Sequence, residues 1–592
     1  MDKSLKHSLL CLLPFLLLAA VAEVVAGDEL TTFIVHVQPH EKHVVANADD
    51  RKEWYMSFLP EKGRLVHAYH HVATGFAARL TLEELDEVSA MPGFVAAVPD
   101  RMYRLQTTHT PQFLGLNMNS PPRGNSSYGA DRGAGVIIGV LDTGVFPFHP
   151  SFSNHGMPPP PAKWKGRCEF NVSAACNNKL IGARSFVSMP GDANDTSPLD
   201  EHGHGTHTAA TAAGSPVRGA NVLGQAAGVA VGMAPRAHVA VYKVCNASGV
   251  CPSSDILAGA DAAVADGCDV ISVSLGGDSA PFHGDALAVA AFGAAEKGVL
   301  VSMAAGNDGP VVGSVTNEAP WALTVAASTM DRAIRTTVVL GNGASFHGES
   351  IYQPPRSRSS STATMMRPLV YAGASRQPLA ALCGDGSLDG LDVRGKIVVC
   401  EFGGGPDQNI TAVVKGEVVR RAGGAGMILP NFFSLGYTTL AQAHVLPASN
   451  VDYAAGLAIM SYILSAANPV ARIVFGGTVL GTRPAPAMAF FSSRGPSLQN
   501  PGILKPDVTG PGVNVLAAWP SPVGPPSAAS SSGPAFFNII SGTSMSTPHL
   551  SGIAAAIKSK HPGWSPAAIK SAIMTTADAT DRSGGPILDE QH

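Results

Sequence analysis

Three side chains able to share one proton lie far apart in the sequence, each in a glycine-containing segment. Asp142 stands in Val140-Leu-Asp142-Thr-Gly144, directly after the apolar run Val136–Leu141. A carboxylate leaving a buried strand sits where α/β sheets place their sites, although the same residue type also caps turns. His204 stands in His202-Gly-His204-Gly-Thr-His207-Thr, which opens a helix of small residues expected over 208–213. Ser544 stands in Ser541-Gly-Thr-Ser544-Met-Ser-Thr-Pro-His549, at the mouth of a helix expected to run through Lys558. A helix N-terminus favours developing negative charge and sets backbone N–H groups beside the hydroxyl. Taken singly, each segment reads equally well as a turn or a cap. Together, an acid, a His and a Ser are the parts of a nucleophile activated by an oriented base. Asn307 follows Met303-Ala-Ala-Gly306 at the end of another apolar run. Its amide N–H would pair with the backbone N–H of Ser544 around an oxyanion.

Other chemistries fit less well. Three His within six residues resemble a metal cluster, but the Glu of His-Glu-x-x-His is missing and no carboxylate pairs with them in helical register. An Asp–His–Ser system needs no cofactor, and the sequence offers no convincing acidic calcium loop. The chain order Asp, His, Ser is that of subtilisin, whereas a lipase or esterase of the α/β-hydrolase type runs Ser, Asp, His. A non-catalytic secreted binding protein would be favoured by an altered acid, base or nucleophile, and all of these are intact.

The elements that must position these groups follow from texture. From Gly135, short apolar strands alternate with Ala/Gly-rich helices: strands at His238–Val244, Val270–Leu275 and Val299–Ala304, helices at Asp255–Ala265 and Ala286–Lys297. That rhythm predicts a parallel sheet with helices on both faces. It breaks near Asp331, and residues 340–482 read as an inserted, mostly-β module with a helix at Ala454–Ala467. It resumes near Met488, and Ser565-Pro566 caps and opens a last helix to Thr575. Ahead of the sheet, residues 31–100 read as a small α+β unit, with strands at Thr32–Val37 and Gly75–Leu80 and a helix opened by Thr81.

Composition bounds the class. A chain of 592 residues is worth about four domain-sized units. With 40 Lys and Arg against 44 Asp and Glu the net charge is −4, which excludes a basic nucleic-acid-binding surface. Charged residues at 14% and hydrophobic ones at 45% exclude a disordered chain. Lys3, Lys6, the apolar run Leu9–Ala22 and the small-residue patterns ending at Ala22 and Ala26 read as a cleaved signal over 1–26. No later apolar run has spanning length, so a soluble, exported product without a membrane partner is expected. Of the eight cysteines, Cys11 would leave with the signal. Close spacing suggests the pairs Cys168–Cys176, Cys245–Cys251 and Cys383–Cys400, with Cys268 a buried free thiol. Asn-x-Ser/Thr sequons at Asn125, Asn171, Asn194, Asn246 and Asn409 agree with export.

The motifs Asp142-Thr-Gly, His204-Gly-Thr-His, Ala305-Gly-Asn307 and Gly542-Thr-Ser544-Met, in this order, make the chain resemble the plant subtilisin-like serine proteases (subtilases) of the cucumisin-like group. Ser492-Ser-Arg-Gly-Pro496 and Lys505-Pro-Asp-Val508 add to the likeness. The resemblance implies an inhibitory propeptide over 31–106, a catalytic domain over 107–339 and 483–592, and a protease-associated domain over 340–482. Thr107–Gly115 is similar to the family's mature N-terminus. The implied enzyme is a secreted serine endopeptidase of the apoplast or cell wall that acts on protein or peptide substrates and is held by its own propeptide. The resemblance also implies that Ser274, Leu275 and Gly276 on one side, and Ala304, Ala305 and Gly306 on the other, edge the substrate cleft. Self-cleavage is expected after Gln106, with Tyr103 as an aromatic anchor. Two departures stand out: family members usually continue into a β-sandwich beyond the position of His592, and commonly carry Cys where Thr547 stands.

Overall fold

The computed structural model describes residues 30–38, 48–69, 75–99, 109–116, 132–172, 174–188, 197–352, 354, 365–404, 410–524 and 536–589. The expected signal, the expected processing site at Gln106, and Asn125, Asn194 and Asn409 lie outside them. The chain divides into two compact units, Met1–Arg104 and Leu105–His592.

In the first unit, β1 (Thr31–Val37), β2 (Leu65–Tyr69), β3 (Gly75–Leu80) and β4 (Phe94–Pro99) form an antiparallel sheet in the order β2-β3-β1-β4. Helices α1 (Ala48–Met56) and α2 (Leu82–Ser89) accompany it. Thr81 caps α2 in a reciprocal box: Glu84 N–H donates to Thr81 Oγ1 at 3.2 Å and Thr81 N–H to Glu84 Oε2 at 2.9 Å. Phe33, Val35, Tyr55, Phe76 and Leu80 fill its core.

In the second unit seven strands, β5 (Ile137–Asp142), β6 (Leu180–Ser185), β7 (His238–Lys243), β8 (Val270–Val273), β9 (Leu300–Ala304), β10 (Leu323–Ser328) and β11 (Val508–Pro511), form one sheet. Their order is β11-β10-β9-β8-β5-β7-β6, and every pairing is parallel. The continuous apolar runs reflect burial of both faces. Ile138 and Val140 pack on one side with α3 (His204–Ala213), α6 (Thr543–Lys560) and α7 (Pro566–Thr575). Ile137 and Leu141 pack on the other with α4 (Ser253–Ala265) and α5 (Ala286–Glu296). Strand order reverses beside β5, so a crevice opens at its carboxyl end, where Asp142 is the last strand residue. One boundary differs from expectation: α3 begins at His204 itself rather than at Thr208. Because Asp200 satisfies its first N–H groups, the glycines around His204 do not delay the helix.

Residues 332–480 close into a barrel of seven strands in the order Arg332–Leu340, Ser345–Glu349, Ala448–Val451, Gly426–Pro430, Ile397–Val399, Arg367–Tyr371, Val470–Leu480. Its first strand falls before the expected start at 340, and it carries a second helix, Ala412–Arg421, besides Tyr453–Ser465. Arg332–Leu340 alternates buried and half-buried positions, as one wall of a barrel must.

The disulfides are Cys168–Cys176, Cys245–Cys251 and Cys383–Cys400, as their spacing predicts, and Cys268 is free and buried. Of the two described sequons, Asn171 is exposed, whereas the Asn246 carboxamide is buried and accepts from Ser248 and Val250 N–H, both at 3.0 Å. Burial pushes the Cys268 thiol up to about 12, so it carries almost no thiolate at neutral pH. The native protein should therefore take up no iodoacetamide at Cys268 at pH 8, and one equivalent after unfolding without reductant; peptide mass mapping reads both, and native labelling would contradict the buried placement.

Candidate active site

Asp142, His204, Asn307 and Ser544 line one open cleft of ≈ 620 Å³. Asp142 ends β5 and is fully buried, and its Oδ1 lies 2.7 Å from His204 Nδ1. Thr143 N–H donates to the same oxygen at 2.8 Å, and Thr208 Oγ1 donates to Oδ2 at 3.0 Å. The carboxylate is therefore held by two donors, one on each oxygen, besides the imidazole.

What brings His204 to Asp142 is a residue that the sequence motifs did not single out. Buried Asp200 accepts from Thr143 Oγ1 (2.9 Å), from His202 and Gly203 N–H (3.1 and 2.8 Å), and from Thr206 N–H (2.8 Å) and Oγ1. Asp200 thus takes the Thr206 N–H of the first turn of α3, and Thr143 Oγ1, which Asp200 also holds, accepts the Gly205 N–H at 2.9 Å, so the two residues tie that turn to the loop after β5. The one available signal was an acid four residues ahead of the helical His. The approach leaves no room for a side chain between them: a Cβ on Gly205 would lie 2.3 Å from the Gly144 carbonyl oxygen.

Burial, the largest influence on His204, lowers its pKa, but the Asp142 charge, the Asp142 hydrogen bond and the Asp200 charge outweigh it and hold the pKa above the usual 6.5. His207 is spent elsewhere, with Nε2 on the Val515 carbonyl at 3.0 Å and its ring edge-on to Trp519; burial pushes its pKa down to about 3.

Ser544 occupies the first turn of α6, and the helix contains Pro548. Proline has no N–H, so the Ser544 carbonyl loses its partner four residues on. Ser274 Oγ supplies the missing donor at 2.8 Å, and in return Ser544 Oγ donates to the Ser274 carbonyl at 3.0 Å. The hydroxyl is thus engaged by Ser274, not by His204, in this structure. Asn307 Oδ1 accepts from Thr543 N–H at 2.9 Å and Oγ1 at 3.0 Å. With its oxygen so fixed, Asn307 lines the cleft beside Ser544. Thr547 turns its hydroxyl back to the Thr543 carbonyl at 2.9 Å.

Ser274, Leu275 and Gly276 line the cleft. Ala304, Ala305 and Gly306 do not reach its surface. They are buried, and their carbonyls accept from Asn317 Nδ2, Thr316 N–H and Ser493 N–H. Ile256, Leu275 and Leu287 add an apolar recess, and the Cys245–Cys251 disulfide borders the cleft.

A buried strand-end carboxylate holding an imidazole, a serine at a helix mouth and an aimed carboxamide are the parts of a serine hydrolase, here on a parallel sheet in the chain order Asp, His, Ser. Comparison with known proteins gives the family. Residues 133–591 match the subtilase family and residues 32–106 match the peptidase inhibitor I9 family. The chain is 46% identical over 584 residues to the subtilisin-like protease SBT1.7 of Arabidopsis thaliana, spanning 95% of this chain and 74% of that protein. It is 46% identical over 585 residues to SBT1.5 of the same plant, spanning 94% and 73%. The chain belongs to the subtilase family: it is a plant-type subtilisin-like serine endopeptidase, made as a zymogen with an I9 inhibitor domain.

Because Gly205 touches backbone and not a yielding side chain, Gly205→Ala should destabilise the catalytic unit by about 1–3 kcal/mol and disrupt the Asp142–His204 contact. Chemical denaturation and fluorophosphonate labelling measure the two effects. Wild-type behaviour in both would show that the approach is not tight.

Proposed function

We propose that Ser544, His204 and Asp142 form the catalytic triad of this endopeptidase. Ser544 Oγ leaves the Ser274 carbonyl by rotation about χ1, gives its proton to His204 Nε2 and attacks the scissile carbonyl. His204 then protonates the leaving amine. Asp142 fixes the tautomer with the Nδ1 proton facing it and stabilises the imidazolium. Asn307 Nδ2 and the Ser544 N–H hold the oxyanion. The 2.7 Å contact of His204 Nδ1 with Asp142, in the cleft that also exposes Ser544, carries this reading. An extended peptide pairs along Ser274–Gly276, while Ala304–Gly306 back the recess beside it.

The wider reading follows the family. Residues 1–26 direct secretion to the apoplast or cell wall, and 31–106 inhibit the enzyme until it cuts after Gln106. Residues 107–339 and 483–592 are the catalytic domain, and the barrel is a protease-associated domain. Among the described residues no helix is long and apolar enough to cross a membrane. A tethered segment reaches its own cleft at high effective concentration, so a mediocre sequence can still be cut. Ser544→Ala made without other proteases should therefore keep its full proform mass, whereas wild type should begin at Thr107. A Ser544→Ala protein that also begins at Thr107 would refute self-processing.

Asn307→Ala should leave KM nearly unchanged and lower kcat by about 10²–10³, the loss typical of one oxyanion donor. Steady-state kinetics on one peptide decides it, and an unchanged kcat would remove Asn307 from the reaction.

The base must be neutral to work, and the His204 pKa is raised above 6.5. The acid limb of kcat/KM should therefore have its midpoint above pH 6.5, with activity rising as pH increases through it. Stability runs oppositely: the proton held by folded His204 contributes fully below pH 6.5 and is lost as pH rises through the folded pKa. A midpoint at or below 6.5 would mean that Asp142 does not support the imidazolium.

A further inference from the structure

Strands β8 and β9 pair as far as Val273 and Met303, and there the ladder ends. Past that point one chain runs on as Ser274-Leu275-Gly276 at the cleft wall and the other as Ala304-Ala305-Gly306 buried behind it, and the part of the cleft that Leu275, Thr316 and Asn317 line forms a slot beside them. Gly276 and Gly306 flank it, for a Cβ on either would lie 3.4 or 3.2 Å from the hydroxyl of Thr316. The slot abuts the nucleophile, since Ser274 exchanges two hydrogen bonds with Ser544 and Gly306 precedes Asn307. A scissile carbonyl held by Asn307 would therefore drop its own residue's side chain into this slot.

Asn317 bridges the slot where the ladder has stopped. Its Nδ2 donates to the Leu275 carbonyl at 2.8 Å and to the Ala304 carbonyl at 2.7 Å, so both amide protons are used and each holds one wall. The residue is buried and lines the cleft, and Thr324 Oγ1 anchors its own carbonyl at 2.7 Å. Its φ of +55° is a left-handed conformation that Asn tolerates and most residues do not. Carbonyls alternate along an extended chain, so engaging Leu275 turns the Ser274 carbonyl the other way, where Ser544 Oγ donates to it at 3.0 Å.

We propose that Asn317 is a positioning residue that sets the width of this slot, and with it the size of side chain accepted at the residue contributing the scissile carbonyl. The proposal rests on the catalytic reading above. Asn317→Gly is the sharpest lesion, because glycine suits the left-handed backbone and deletes only the brace. Asn317→Asp is a second lesion of equal size, which places a carboxylate against two carbonyl oxygens. The measurement is kcat/KM on peptides that differ only at that residue, from Ala through Leu to Phe and Trp, together with the rate at which a small fluorophosphonate labels Ser544. For either variant the ratio between the best and worst peptides should shrink at least tenfold, mainly through KM, while labelling stays within about threefold of wild type. A uniform fall across the series with the ratios preserved, or no change, overturns the proposal and leaves Asn317 a packing residue. A failure of the catalytic reading looks different: wild-type Ser544 would not label, or Ser544→Ala would retain peptidase activity.

Discussion

The bond between His204 and Asp142 joins the end of a strand to the first turn of a helix 62 residues later, and neither partner holds the geometry unaided. The aspartate needs Thr143 and Thr208 to fix its oxygens, and the histidine needs α3 to begin exactly at its own position. Asp200 meets the second demand by accepting from Gly203 and Thr206 N–H at the helix start, and it meets the first in part by holding Thr143, whose Oγ1 accepts from Gly205 N–H. Gly205 then lets the two backbones close to a distance that no side chain would allow. The reversal of strand order beside β5 opens the crevice, but this small polar knot is what makes the crevice a site.

Ser544 is positioned by a comparable shortage of partners. A helix whose N-terminus is buried leaves polar groups that cost about 1–3 kcal/mol each if unpaired, and Pro548 adds one more by removing the donor for the Ser544 carbonyl. Ser274 and Asn307, on the loops after β8 and β9, satisfy these groups from across the sheet. The bonds that stabilise the start of α6 are thus the ones that place Ser544 and aim the Asn307 amide. Stability and alignment of the site are here one requirement, because the same atoms answer both.

Much of this was legible in the sequence because it depends on residue types with few alternatives. Asp142, His204, Asn307 and Ser544 could be singled out since each combines a chemical group with a glycine within two residues. The alternating strands and helices announced the parallel sheet, since only strands buried on both faces read as unbroken apolar runs. The three disulfides followed from spacing. Partners chosen by the fold were not legible. Asp200 looked like an ordinary turn acid, and Asn317 lay in Thr316-Asn-Glu318 with no neighbour to mark it, because its two acceptors are 42 and 13 residues away. Ala304–Gly306 were expected at the cleft surface, yet their carbonyls are consumed within the protein, which no local pattern discloses. The first barrel strand was placed late because only Thr329, Met330 and Asp331 separate Arg332–Leu340 from β10, with no Gly or Pro among them.

The barrel is less separate from the site than its insertion in the chain suggests. Glu349, on its second strand, is buried and accepts from Ile334 N–H, Thr439 Oγ1 and Asn514 Nδ2 at 2.7, 2.9 and 2.8 Å. Asn514 lies outside the barrel, after β11, and uses every polar group it has. Its carbonyl accepts from Arg332, its Oδ1 from Ala441 N–H, and its own N–H donates to Ser541 Oγ at 2.8 Å. Ser541 stands three residues before Ser544. Burial pushes Glu349 up to about 7, against the help of its three donors and of the Arg335 charge. Folding therefore gains from this group below its ordinary 4.5 and loses that gain as pH rises toward 7, where the carboxylate must be held inside the protein. A buried charge of this kind persists only where its surroundings are tightly determined. The barrel and the turn that leads into Ser544 share that determination through one asparagine.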